Sequence, residues 1–145
     1  EKEGLRVFVA KGCATCHSGG LLSDDGFHAI GWVDAPPRAR KEGLATLSAS
    51  VFSGAGEFFD GAKETLPVAT ADDEGAYRTP SLRNVLRTGP WGHDGRFGAI
   101  AEAITRHAQP GAPSLSATEV NSLVAFFGAL DAKDPPLPWN GWPDR

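Results

Sequence analysis

The most constraining feature of this chain is the segment Cys13-Ala14-Thr15-Cys16-His17, which contains both of its cysteines. Two cysteines at this spacing are typical of a redox disulfide, of half a zinc site or of a haem attachment site. A structural zinc site needs four ligands, and no second pair is present. A thioredoxin-like motif follows a strand, whereas Leu5, Phe8 and Val9 recur here at helical spacing.

The histidine directly after the second cysteine favours haem over the two alternatives. In such a motif both thiols form thioethers with the haem vinyl groups, and the adjacent imidazole binds the iron as the proximal ligand. The sequence therefore predicts one covalently bound haem c, attached at Cys13 and Cys16 and ligated by His17. Because covalent attachment usually occurs outside the reducing cytosol, we expect a periplasmic, bacterial or otherwise exported protein.

The second axial position of the iron cannot take the usual methionine thioether, because the chain contains no Met. His107 is the first choice, since it extends the apolar stripe of Ile100, Ala103 and Ile104 at helical spacing. A histidine on an apolar helix face is more often an ordinary core residue. A haem that needs a second ligand reverses that preference here.

Two other histidines are weaker candidates for the same position. His93 lies in the turn Gly92–Gly95, where Asp94 can fix its ring, and it is the second choice. His28 follows a glycine-rich loop that would have to fold back over the opposite haem face. Both are more simply interpreted as structural residues.

Hydrophobic periodicity predicts an all-α, cytochrome c-like fold, with about four to five helices around the haem and long irregular loops. No segment alternates as a strand does, and there is no internal repeat. We expect a single domain over 1–145, with a haem-binding core over about 4–130 and a Pro/Trp-rich tail over 131–145. The expected helices cover 1–17, 43–52, about 80–89, about 98–108 and a last segment from Ser116, which begins with a capping box, to before Pro135.

Charge and hydropathy exclude two classes of function. The net charge is −4 without a basic block, which argues against nucleic-acid binding. No apolar run approaches the roughly 18 residues of a membrane span, so this chain has no membrane segment. The acidic stretch 57–74 is a solvated loop, a calcium site or a partner patch. With the arginines that follow it, it offers charged surfaces to redox partner proteins.

Four ordered motifs resemble the bacterial di-haem cytochrome c peroxidase superfamily, which includes the enzyme that matures methylamine dehydrogenase. The resemblance is to the C-terminal, electron-transferring haem domain and covers about residues 4 to 130. At the family's methionine-ligand position this chain has His107. The motifs are Cys13-x-x-Cys16-His17, Phe27-His28-x-Ile30-Gly31, the segment 77–85 (YRTPSLRNV) and the segment 88–97 (TGPWGHDGRF).

The resemblance also implies which side chains contact the haem. Arg78 and Arg83 would lie near the propionates, where a guanidinium pairs with a carboxylate. Trp91 would pack at the haem edge, and His93 with Asp94 would shape the turn before the ligand helix. The implied contacts are Arg78, Pro80, Leu82, Arg83 and Trp91.

The sequence favours a mono-haem electron carrier with His17 and His107 as ligands over an enzyme, because two strong ligands leave no open iron position. One alternative is a peroxidase-type oxidoreductase whose iron opens readily. Another is the electron-relay domain of a larger di-haem enzyme, since such enzymes carry two haems and this chain has one attachment motif. A haem-based gas sensor has no support beyond the haem itself.

Overall fold

The structure is a computed structural model that describes residues 1–30, 40–107 and 113–132. Four helices and one small antiparallel sheet form its regular structure. Among the described residues no helix is long and apolar enough to cross a membrane. The tail from residue 133 lies outside the described residues. The elements are α1 (Lys2–Ala10), β1 (Phe27–Ala29), α2 (Arg40–Ser48), β2 (Ala76–Arg78), α3 (Ile100–Arg106) and α4 (Ala117–Gly128), with short 3-10 turns at Cys13–Thr15, Ala71–Asp73 and Val85–Arg87.

The packing of α1 against α4 forms the centre of the core. The Phe8 ring lies 5.3 Å from the Phe126 ring and 6.5 Å from the Phe127 ring, measured between centroids. Gly4 allows this approach, because a Cβ atom there would lie 1.9 Å from the carbonyl oxygen of Ser122. The buried residues of this core are Val7, Phe8, Leu82, Val85, Leu123, Phe126 and Phe127.

The predicted capping box at the start of α4 is confirmed. The Ser116 hydroxyl accepts a hydrogen bond from the Glu119 N–H, and the Glu119 carboxylate accepts one from the Ser116 N–H at 2.8 Å. Lys11, just after α1, lies 2.9 Å from the other carboxylate oxygen and donates to the Ser114 carbonyl at 3.1 Å. One lysine therefore joins the end of α1 to the start of α4.

The predicted helix over 80–89 is wrong. Only Val85–Arg87 forms a 3-10 turn, because Asn84 has a left-handed backbone with φ 59°. Long-range bonds compensate for the helical bonds that are missing. The Asn84 side chain accepts a hydrogen bond from the Ala132 N–H at 2.6 Å, and its backbone N–H donates to the Leu130 carbonyl.

The expectation of no strand is also wrong. In β1 and β2, Phe27 pairs with Arg78 and His28 with Tyr77. Strands of three residues are too short to show an alternating pattern.

The face predicted for the helix over 43–52 is only partly buried. The helix is α2 and ends at Ser48, so Leu44 is buried while Leu47 and Val51 stay exposed. The helices predicted over 1–17 and 98–108 are present but shorter, as α1 and α3.

Gly4→Ala is expected to destabilise the protein by about 1–3 kcal/mol, because the new methyl group overpacks the α1–α4 contact. Gly43→Ala is the matched control: it lies inside α2, where an added Cβ meets nothing within 4 Å. There alanine should be neutral or stabilising by up to about 1 kcal/mol. Denaturant unfolding measures both changes, and equal destabilisation by the two would contradict the packing argument.

The contact between Lys11 and Glu119 should make stability sensitive to acid. Hydrogen bonds from Lys11 and then Ser116 lower the pKa of Glu119 from its ordinary 4.5 to about 2. A carboxyl group whose pKa is lower in the folded state stabilises the fold above its unfolded pKa. This contribution is lost as the pH falls from about 4.5 towards 2. We expect Glu119→Gln to flatten the stability curve in that window, as measured by unfolding at each pH.

Candidate haem centre

His17 is held with one ring nitrogen available as a ligand. It follows the 3-10 turn of the attachment motif and is 7% exposed. Its Nδ1 lies 3.0 Å from the Leu22 carbonyl oxygen, which can only accept, so Nδ1 carries the proton. The lone pair is therefore on Nε2, as in metal-binding histidines whose other nitrogen donates to a carbonyl.

His107 lies opposite His17. It follows α3 directly, and the ring centroids of the two histidines are 6.1 Å apart with an interplanar angle of 49°. Metal–imidazole bonds of about 2 Å on both sides of one metal atom place two ring centroids about 6 Å apart. The observed separation thus fits a single metal atom between the two imidazoles.

Both cysteines border the same space as the two histidines. One cleft is lined by Lys11, Cys13, Cys16, His17, His107, Pro113 and Leu115. An adjoining cleft shares Cys16 and both histidines. Two thiols and two imidazoles around one space are the donor set that a covalently attached haem requires, so the residues fit this group.

The local environment keeps both imidazoles neutral at pH 7, which is the form that binds metals. Burial lowers the pKa of His17, and hydrogen bonding to the Leu22 carbonyl opposes this only in part. His107 retains solvent contact as a residue, yet burial of its ring and the charge of His17 lower its pKa to about 4. Burial also raises the pKa of the Cys13 thiol.

The second cleft is lined by polar groups of the sheet. The Arg78 guanidinium lies 2.8 Å from Asp25, and the His28 ring lies 2.8 Å from Asp24. These residues therefore add charged groups beside Cys16. The lining residues besides Cys16, His17 and His107 are His28, Ile30, Tyr77, Arg78, Thr79 and Pro80.

Arg83 contacts the loop that orients His17. Its guanidinium donates twice to the Gly20 carbonyl, at 3.0 and 2.9 Å, and Ser81 donates to the Leu21 carbonyl at 2.6 Å. Both residues thus fix the loop whose next carbonyl, that of Leu22, binds His17. The expected propionate contact of Arg83 stays a prediction.

Besides Arg83, three sequence-predicted site residues do not line either cleft. Leu82 is buried in the core, and Trp91 packs against it while donating to the Val85 carbonyl at 2.8 Å. His93 stacks on the Tyr77 ring at a centroid distance of 4.1 Å. Their haem contacts, and ligation by His93, remain predictions.

Two acidic residues of the stretch 57–74 pair with basic residues of α2. Asp73 pairs with Arg40 and Glu74 with Lys41. Among the residues described, the one cluster of at least three potential ligand atoms is Cys16, Asp24 and His28, outside this stretch. Carboxylates that do not converge make a poor calcium site.

Lys11 and Tyr77 line the clefts although the sequence did not predict either as a site residue. Lys11 is two positions before Cys13, and this closeness to the attachment motif could have indicated that it lies at the site. Tyr77 reaches the cleft because β2 pairs with β1. Strands of three residues show no alternation of polar and apolar residues, so the sequence did not reveal this pairing.

The chain is similar to known cytochrome c peroxidases and MauG proteins. No family model matches the chain. The chain is 32% identical over 144 residues to the methylamine utilization protein MauG of Methylorubrum extorquens, covering 91% of this chain and 35% of that protein. It is 33% identical over 138 residues to cytochrome c551 peroxidase of Pseudomonas aeruginosa, covering 93% and 35%.

A solved structure supports the fold. A MauG-like protein associated with microbial copper homeostasis superposes with a TM-score of 0.58 at 24% identity, covering 90% of this chain and 43% of its own. The relatives support a haem cytochrome-type domain. The chain is homologous to cytochrome c peroxidases and MauG of the di-haem superfamily, which is consistent with one domain of that superfamily, and it spans about a third of the length of these relatives.

Arg83→Ala should loosen the loop around Leu22. We expect the Ser23 and Asp24 amides, which donate within this loop region, to exchange hydrogen about tenfold faster after loss of the guanidinium bonds. Arg6→Ala, which removes an exposed pair with Glu3, is the control and should leave them unchanged. Unaltered exchange in Arg83→Ala would show that the loop holds its position by other contacts.

Proposed function

We propose that this chain is a mono-haem c-type cytochrome domain that carries out single-electron transfer. Cys13 and Cys16 attach the haem, and His17 and His107 ligate its iron. The observation that carries the proposal is the 6.1 Å separation of the two imidazole rings across a cleft that both cysteines line. When bound, haem c supplies a one-electron ferric–ferrous couple.

The chain's own contacts favour a fixed pair of ligands. The Leu22 carbonyl accepts a hydrogen bond from Nδ1 of His17, which leaves Nε2 as the ligand atom. His107 follows α3 directly and faces the His17 ring. Two imidazoles leave no open position, which favours electron transfer over chemistry at the metal. Without methionine, the reduction potential is expected to be lower than that of a His/Met cytochrome, since Met ligation raises it.

The length of the relatives supports a relay role in a larger protein. The matched relatives are about three times as long as the aligned region, and two are named a cytochrome c peroxidase and MauG. We propose that the domain passes electrons to or from redox partner proteins or a further domain. An exported, periplasmic location follows from the proposed covalent attachment.

The test is low-temperature EPR of the ferric holoprotein, with optical spectra of the same sample. We expect a low-spin signal of the bis-histidine type that is lost in His107→Ala, because the sixth ligand is removed. His93→Ala and His28→Ala are matched controls that should keep the signal.

Two results would contradict the proposed ligation by His17 and His107. A high-spin signal in the unmodified holoprotein would mean an open iron position, and peroxide turnover would then test the peroxidase alternative. Loss of the low-spin signal in His93→Ala, with its retention in His107→Ala, would assign the ligand to His93 instead.

A further inference from the structure

The loop after the attachment motif places one carboxylate beside an attachment cysteine. The Asp24 backbone N–H donates to the Cys16 carbonyl at 2.8 Å. One side-chain oxygen of Asp24 accepts the Gly26 N–H at 2.9 Å, and the other lies 2.8 Å from Nε2 of His28. These contacts fix the carboxylate on both sides. Ligand atoms of Cys16, Asp24 and His28 all lie within 4.8 Å of one another.

This cluster is better explained as an electrostatic feature than as a separate metal site. In the proposed function the Cys16 sulfur is a thioether to the haem, so it is not available as a thiolate, which is the form that binds metals well. Cys16 and His28 both line the cleft that contains the two axial histidines. An oxygen of the Asp24 carboxylate therefore lies within 4.8 Å of the Cys16 sulfur, the atom that would be bonded to the haem.

The neighbouring Asp25 shows what distinguishes Asp24. The Asp25 side chain is 58% exposed and is paired with the Arg78 guanidinium at 2.8 Å, so its charge is both screened and balanced. The Asp24 side chain is 27% exposed. Hydrogen bonds from Gly26 and then His28 lower its pKa to about 2, so it is ionised at neutral pH.

We propose that Asp24 tunes the electron-transfer reaction. Its carboxylate is held near Cys16 by His28, and its negative charge lowers the reduction potential of the haem. The inference rests on the proposed function. A fixed negative charge near the iron stabilises the ferric form over the ferrous form, because the ferric form carries one more positive charge. Screening weakens this effect for charges that are more exposed.

The test is a redox titration of the holoprotein at constant pH and ionic strength. We expect Asp24→Asn to raise the midpoint potential, lowering the ferric-to-ferrous ratio at a fixed ambient potential by about threefold or more. Asp25→Asn is the matched control, with the same charge change one residue away, and should shift the ratio by less than half as much on a logarithmic scale. Asp24→Glu, which keeps the charge, should stay near the unmodified protein.

Three outcomes would overturn the inference: no rise in Asp24→Asn, equal shifts in Asp24→Asn and Asp25→Asn, or a rise in Asp24→Glu as large as in Asp24→Asn. Thermal unfolding and the low-spin EPR signal verify that each variant is folded and loaded. If Asp24→Asn does not retain haem, Asp24→Glu and Asp24→Gln isolate the charge at equal size, and Gln should have the higher potential.

Failure of the proposed function has a different signature. In that case the unmodified protein itself lacks a covalent haem or a bis-imidazole EPR signal. A normal spectrum in the unmodified protein combined with unchanged potentials in the variants contradicts only the role of Asp24.

Discussion

The hydrogen bond between Nδ1 of His17 and the Leu22 carbonyl is the contact on which the candidate site depends. It fixes the tautomer, so the lone pair on Nε2 can reach a metal between His17 and His107. The Leu22 carbonyl belongs to the loop after the attachment motif, and this loop has little secondary structure. Its support comes from Ser81 and Arg83, whose side chains bind the carbonyls immediately before it. The orientation of the His17 ring thus depends on a loop and not on a helix or strand.

The helical core contributes by fixing the two chain segments that flank the cleft. Gly4 lets α1 approach α4 closely, and Lys11 connects their ends. The attachment motif directly follows this junction. His107 comes at the end of α3, which packs on α4. Both α1, which precedes the attachment motif, and α3, which precedes His107, therefore pack against α4.

Sequence patterns predicted the features that depend on residues close together in the chain. The capping box of Ser116 and Glu119 follows from spacing along α4, and the apolar spacing of Ile100, Ala103 and Ile104 predicts α3, although the helix ends one residue before His107. The patterns failed where long-range contacts decide the backbone. Asn84 leaves the helical region because its partners are Leu130 and Ala132, and no property of its own neighbours reveals this. The same holds for the sheet that brings Tyr77 to the cleft, and for Arg83, whose partner is 63 residues away.

The contacts around His17 also impose an order on folding. The loop carbonyls bind Ser81 and Arg83, and Ser23 donates to the Thr79 carbonyl, so each contact closes a loop of more than 55 residues. Such contacts form late, because their entropy of closure must be overcome first. A growing chain therefore presents both thiols and the adjacent imidazole long before that imidazole has a fixed direction. In the proposed function, haem attachment would need only the segment 13–17, whereas a fixed direction of the His17 ring would need the distant segment 79–83 to be in place.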